Sequence, residues 1–357
     1  MIRPALEPLP PDVRSAADYE AHARRRLDPN AWAYFSALAG DGSAARRNRA
    51  AWDALGLLPR VLRSTAATDT SQILLGRPLP WPLLVAPMAL QRLAHPDGEI
   101  GMAFAAAAQR AGMVVGSQAS VLLESVAAAA QADAGRGPLW FQLYFLHDRG
   151  ATLELVQRAE AAGYDAVVLT VDAQVRASRP GYRLPPGIGT VNLPADPAPA
   201  ASLAELLSRA PGWEDVAWLQ ARTRLPLLLK GVLHPDDARQ AARLQLPGLI
   251  VSNHGGRTLD AAAPTAQALP RIADAVGGAV ALLVDGGISS GSDIARALAL
   301  GARAVLVGRP LLWALATAGA AGAAHALALL RDELLLTAAQ CGARTLADLD
   351  RSILLLD

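Results

Sequence analysis

Leu249-Ile250-Val251-Ser252-Asn253-His254-Gly255-Gly256-Arg257 is an apolar run that opens directly into a histidine, two glycines and an arginine. The run reads as a buried strand. A histidine at a strand's carboxyl end, with a cation three residues on, pairs a proton acceptor with an anion clamp. The glycines let the backbone turn sharply and let a planar ligand come close. Taken alone, the same residues also describe a turn carrying a solvated histidine. The rest of the chain decides between the two.

Working outward, short apolar runs recur at Leu83–Ala86, Met113–Gly116, Leu139–Tyr144, Ala166–Val171, Pro226–Lys230, Gly248–Ser252, Val280–Val284 and Ala304–Gly308. They are nearly unbroken, as parallel strands covered on both faces are. Helical patterns fill most intervals: Gly98–Ala111, Ser120–Ala130, Ala151–Ala162, Trp213–Arg222, Pro235–Leu244, Pro264–Ala275 and Ser290–Leu298. Eight strand–helix alternations predict an α/β fold, a (β/α)8 TIM barrel, which accommodates 357 residues with insertions. The runner-up, a doubly wound open sheet, lacks its Gly-x-Gly-x-x-Gly after the first strand. Residues 1–80 are expected to form an N-terminal helical extension over the barrel's bottom or top, and residues 81–357 the barrel, in one domain. Ala173 to Gly212 makes a long loop after the fourth strand, the place of a lid or a substrate-contacting segment.

Composition narrows the function. With 33 Lys+Arg against 32 Asp+Glu there is no electrostatic case for nucleic acid or an anionic membrane. Lysine is almost absent, so Lys230 stands out. The single cysteine, Cys341, excludes an internal disulfide and a cysteine-ligated metal. The proline-rich start lacks the apolar core of a signal peptide, which predicts a cytoplasmic protein. Leu311 to Leu330 is apolar, but its alanine and glycine content and the Arg331-Asp332-Glu333 that follows predict a packed helix and not a bilayer span.

Polar residues then fall at the strand ends. Tyr144 ends the third strand, Thr170 and Asp172 the fourth, and Lys230 the fifth. Ser252 and His254 end the sixth, Asp285-Gly286-Gly287 the seventh, and Gly308-Arg309 the eighth. Barrel active sites lie on that face. Gly286-Gly287 and Gly308-Arg309 form the usual phosphate site, with backbone donors and a bidentate cation. Lys230 can stabilise negative charge on a cofactor ring, pair with Asp285, or do both. Asp172 is the candidate to orient His254 and stabilise its protonated form. No metal site is expected, because no second histidine sits at ligand spacing beside a carboxylate.

On these residues the chain resembles the FMN-dependent (S)-2-hydroxy acid oxidase and dehydrogenase family, which takes in glycolate oxidase, lactate oxidase, mandelate dehydrogenase and hydroxymandelate oxidase. The matching stretches run from Tyr34 and Asn48-Arg49 through Ala86-Pro87-Met88-Ala89, His95-Pro96-Asp97-Gly98-Glu99 and Phe141-Gln142-Leu143-Tyr144 to Leu169-Thr170-Val171-Asp172. They continue through Leu229-Lys230-Gly231, Ser252 to Arg257, Asp285-Gly286-Gly287 and Gly308-Arg309-Pro310. The resemblance implies FMN across the barrel mouth, held by Pro87, Met88, Ala89, Ser117, Gln142, Thr170, Lys230 and Ser252. Asp285, Gly286, Gly287, Ser289, Gly308 and Arg309 would hold its ribityl chain and phosphate. It implies that Tyr34, Arg179 and Arg257 take a substrate carboxylate. Tyr144 would meet the substrate hydroxyl, His254 would be the base, and flavin N5 would accept the electrons. It further implies a 2-hydroxy acid substrate, O2 or another electron acceptor as partner, and a homotetramer.

The chain departs from the family pattern in places. Ser289 and Ser290 stand where an arginine usually supplies a phosphate-side cation, and Gly116-Ser117 replaces a serine pair. Gln118 takes a position often held by a bulky aromatic, and Pro180 follows Arg179 in place of an acid. Arg176, where an apolar residue is common, could reach the substrate's side chain. The expected function is oxidation of a 2-hydroxy acid to a 2-oxo acid with O2 as acceptor. A dehydrogenase using a quinone, an FMN-dependent isomerase and a flavin-binding protein without turnover are the alternatives.

Overall fold

The computed structural model describes residues 6–63, 68–173, 183–194 and 202–355. Eight parallel strands close a barrel in chain order: β1 (Leu83–Val85), β2 (Gly112–Gly116), β3 (Leu139–Leu143), β4 (Ala166–Thr170), β5 (Leu227–Val232), β6 (Gly248–Val251), β7 (Ala281–Val284) and β8 (Ala304–Val307). The ring closes where Val307 of β8 lies opposite Val85 of β1. Six strands are one residue shorter than their predicted runs, β2 is longer by Gly112, and β5 starts one residue later and runs on to Val232.

The pleat sorts the strand residues into two cores. Leu84, Val114, Trp140, Val168, Ile250 and Leu306 point inward and fill the barrel. Their neighbours, among them Val85, Val115, Phe141, Leu169, Val251 and Val307, point outward against the helices. Continuing the inward parity by two residues reaches Gln142, Thr170, Lys230, Ser252 and Gly308. With Asp285 after β7, the top layer of the interior is therefore polar on β3 to β7 and small at Ala86, Gly116 and Gly308, while the layers beneath it are apolar.

The segment before the barrel serves both ends. A hairpin of Gln72–Leu74 and Arg77–Leu79 inserts Leu74 and Leu79 into the interior core. Gln72 bonds the Arg303 carbonyl and Arg77 pairs with Asp165, residues that lead into β8 and β4, so this hairpin stoppers the amino-terminal end. The helix Ser43–Asp53 lies over the opposite end, where Trp52 donates to the Gly286 carbonyl at 2.9 Å.

After β8 comes Arg309–Gln340, a helix broken at Ala318-Gly319. An 18-residue window of it has a mean hydropathy of 1.4, apolar enough to cross a membrane, and 78% of that window is buried inside the protein. It packs on the helices Gly98–Ala108 and Tyr19–Arg26. It continues beyond the apolar stretch that ends at Leu330, with Arg331 and Asp332 facing outward while Leu334, Thr337 and Ala338 stay buried. In the long loop after β4, the described part includes a short helix, Leu203–Ser208.

Candidate active site

A β-bulge shapes the fifth strand's end. Lys230 lies opposite Ile250, but Val232 lies opposite Val251, so Gly231 is the extra residue. A Cβ on Gly231 would sit 2.5 Å from the Asp172 Cβ, which makes glycine the residue that lets the two strand ends approach. Lys230 is directed into the mouth, where Nζ donates to Ser252 Oγ and contacts Asp285 Oδ2, each at 2.8 Å. Both alternatives for Lys230 thus meet in one side chain: it pairs with Asp285 and lines the cavity. Burial works against its ammonium, but Asp285 and Asp172 outweigh that and hold its pKa above the ordinary lysine value.

His254 follows β6 in the left-handed region, φ 57°, where a residue other than glycine is strained. Its amide donates to Ser252 Oγ at 3.0 Å, and its Nδ1 lies 2.9 Å from Asp172 Oδ1. Two left-handed glycines follow. At Gly256 a Cβ would fall 2.7 Å from the Ala45 amide nitrogen, so glycine there lets the N-terminal helix sit directly on this turn. Arg257 donates to the carbonyls of Phe35, Ala37 and Tyr34 at 2.8, 2.9 and 3.0 Å, and its guanidinium stands 5.8 Å from the Tyr34 ring centre. The predicted carboxylate clamp is therefore also the stitch that fixes Tyr34 over the mouth.

Together these residues border a cavity of about 560 Å3. Tyr34, Tyr144, His254 and Arg257 line one part of it. Pro87, Met88, Ala89, Gln142, Thr170 and Lys230 line the floor, and Asp285, Gly286, Gly287, Ser289, Gly308 and Arg309 the far end. Gln142 donates to Thr170 at 2.9 Å. Three predicted residues stand behind the lining: Asp172 beneath His254, Ser252 beneath Lys230, and Ser117, which is fully buried between the lining residues Gly116 and Gln118. Arg179, like Arg176 and Pro180, lies outside the described residues.

At the far end Arg309 donates to the Gly255 carbonyl at 2.7 Å. Burial lowers its pKa, opposed by Glu20 and Asp285. Sequence reasoning missed Arg49 as a site residue. It lines the cavity from the helix Ser43–Asp53, donating to Ser289 Oγ at 3.0 Å and to both Asp293 oxygens at 2.7 Å. The Asn48-Arg49 match was the one signal that could have pointed to it.

The donor set fits a flavin mononucleotide. Asp285 Oδ1 is buried with no hydrogen-bond partner among the described residues, which suits a ribityl hydroxyl. Arg309 and the turns after β7 and β8 suit a phosphate, and Lys230 suits the electron-rich edge of the ring.

An apolar barrel with a polar, cation-bearing mouth open toward its last two strands defines an α/β-barrel enzyme that works with a phosphate-bearing cofactor. Residues 23–356 match the model of the FMN-dependent dehydrogenases, and the chain belongs to that family. Its cofactor is FMN, and it is an oxidoreductase. An L-lactate oxidase of Alicycliphilus denitrificans is 45% identical over 361 aligned residues, covering 97% of this chain and 97% of that protein. The 2-hydroxyacid oxidase 1 of Homo sapiens is 38% identical, covering 94% and 95%. A mandelate oxidase solved with (S)-4-hydroxymandelic acid superposes with a TM-score of 0.87 at 38% identity, over 96% of this chain and 98% of that one.

Proposed function

We propose that this protein oxidises an (S)-2-hydroxy acid to the 2-oxo acid, with His254 as the base and O2 as the final electron acceptor. The observation that carries this is the 2.9 Å contact from Asp172 Oδ1, behind the lining, to Nδ1 of His254, which lines the same cavity as Tyr34 and Arg257. A carboxylate at Nδ1 keeps the proton there and leaves Nε2 as the nitrogen that takes a proton from substrate. Asp172 then balances the imidazolium that forms. Arg257 and Tyr34 bind the substrate carboxylate, and Tyr144 bonds its hydroxyl. When bound, FMN would supply a two-electron acceptor for the two electrons and the second hydrogen that leave the substrate, and O2 would reoxidise it with formation of H2O2. Lys230 offsets negative charge on that cofactor.

Gln118 lines the cavity and supports a substrate larger than glycolate. Adding glycolate, lactate, mandelate and 2-hydroxyoctanoate anaerobically to the purified protein tests the reading. Bleaching of the bound flavin is expected, followed by recovery and H2O2 on admitting air. A flavin that none of them bleaches overturns it.

A further inference from the structure

The resemblance leaves the phosphate end one arginine short, and the geometry shows what stands there instead. Ser290 is the cap of the helix Gly291–Ala299, its hydroxyl accepting from the Asp293 amide at 3.1 Å. Ser289 is not used in that way. It lines the cavity, and its Oγ accepts from Arg49 Nη1 at 3.0 Å. Arg49 cannot swing further into the cavity. It also donates to the Gly287 carbonyl at 2.8 Å, grips both oxygens of Asp293, whose side chain is 0% exposed, and pairs with Asp53 at 2.8 Å.

We infer that Arg49 and Ser289 together replace the missing arginine: Arg49 fixes and polarises the Ser289 hydroxyl, which donates its hydrogen to the FMN phosphate. A hydroxyl oxygen that accepts from a guanidinium has its own hydrogen directed away from that donor. Accepting a charge-assisted bond makes it a stronger donor in turn. Apart from Arg309, which also faces the phosphate end, the nearby cations are committed elsewhere. Arg296 holds the Leu55 carbonyl and Asp293, and Arg303 lies at the barrel's opposite end beside Gln72. Arg49 is on this reading a positioning residue, and Ser289 the group that touches the phosphate.

Riboflavin lacks the phosphate, so the ratio of FMN to riboflavin affinity isolates this contact. Both ligands would be titrated by flavin fluorescence into the deflavinated full-length chain and into its Ser289→Ala, Arg49→Lys and double variants, with melting temperatures as a check on folding. Ser289→Ala should lower FMN affinity about tenfold or more and leave riboflavin affinity unchanged. Arg49→Lys should lower the ratio in the wild-type background and by less than about twofold once Ser289 is alanine. An unchanged ratio in Ser289→Ala overturns the proposal even if Arg49→Lys fails to fold. An equal loss from Arg49→Lys in both backgrounds overturns the relay, because Arg49 would then act directly.

Discussion

Asn48 and Asn253 exchange two hydrogen bonds, each 2.8 Å, across 205 residues of sequence. Both amides are buried, and they tie the N-terminal helix to the turn that carries His254. Removing Asn48 leaves Asn253 Oδ1 buried without its donor, and removing Asn253 leaves Asn48 Nδ2 without its acceptor, although Ala263 and Thr265 still hold the other atoms; each loss costs about 1–3 kcal/mol. Asn48→Ala and Asn253→Ala should each lose that much stability in urea unfolding, and the double variant should lose less than the sum. Additive losses would mean that the two amides do not work as a pair.

His254→Ala should keep its flavin and lose about 10²–10⁴ in the rate of anaerobic flavin reduction, the usual effect of a missing general base. Asp172→Asn should also slow reduction, since an amide cannot balance the imidazolium. A His254→Ala protein that reduces its flavin at the wild-type rate would remove the residue from the role.

Arg309→Ala should weaken FMN binding by about 2–3 kcal/mol, the range for hydrogen bonds to charged groups. With serine at 289, little redundancy remains at this end. An unchanged dissociation constant would assign the phosphate to backbone donors and Ser289.

Burial raises the Asp293 carboxyl's pKa, but the bonds from Arg49 and the Ser289 amide hold it below the ordinary aspartate value. A depressed folded-state pKa contributes stability that is present above about pH 4 and lost as pH falls through the folded value. Asp293→Asn should therefore be less stable at pH 7 and show a flatter decline below pH 4, followed by near-UV circular dichroism. An acid limb as steep as wild type would exclude Asp293 as its source.

Gln118→Trp should narrow the substrate end of the cavity. Steady-state kinetics should show efficiency with mandelate falling relative to glycolate. A ratio that stays constant would place the substrate's side chain elsewhere.

The eight strands were legible because parallel barrel strands are apolar on both faces, and the site because polarity begins where each strand's inward parity reaches the mouth. The same transition explains the small errors at strand ends. Tyr144 and Ser252 were counted into their runs, yet pairing stops at Leu143 and Val251, where side chains turn to the cavity. Arg49 was quoted but not understood, because a helical arginine's partners Ser289 and Asp293 are 240 and 244 residues away. Nor does Leu74-x4-Leu79 signal a barrel stopper, since two leucines beside a turn fit any small hairpin. Arg257 was read for its charge alone, and its bonds to Tyr34, Phe35 and Ala37 depend on a fold that local pattern does not encode.

The overlay of the helix Ser43–Asp53 on the barrel mouth has a consequence for synthesis. A ribosome delivers that helix before the barrel, and its partners Asn253, Gly286 and Asp293 come more than two hundred residues later. The helix must wait, with Trp52 unburied, until the seventh strand has emerged and docked. Cofactor capture then falls late in biogenesis: the floor is built first, and the roof, although made earlier, is laid last.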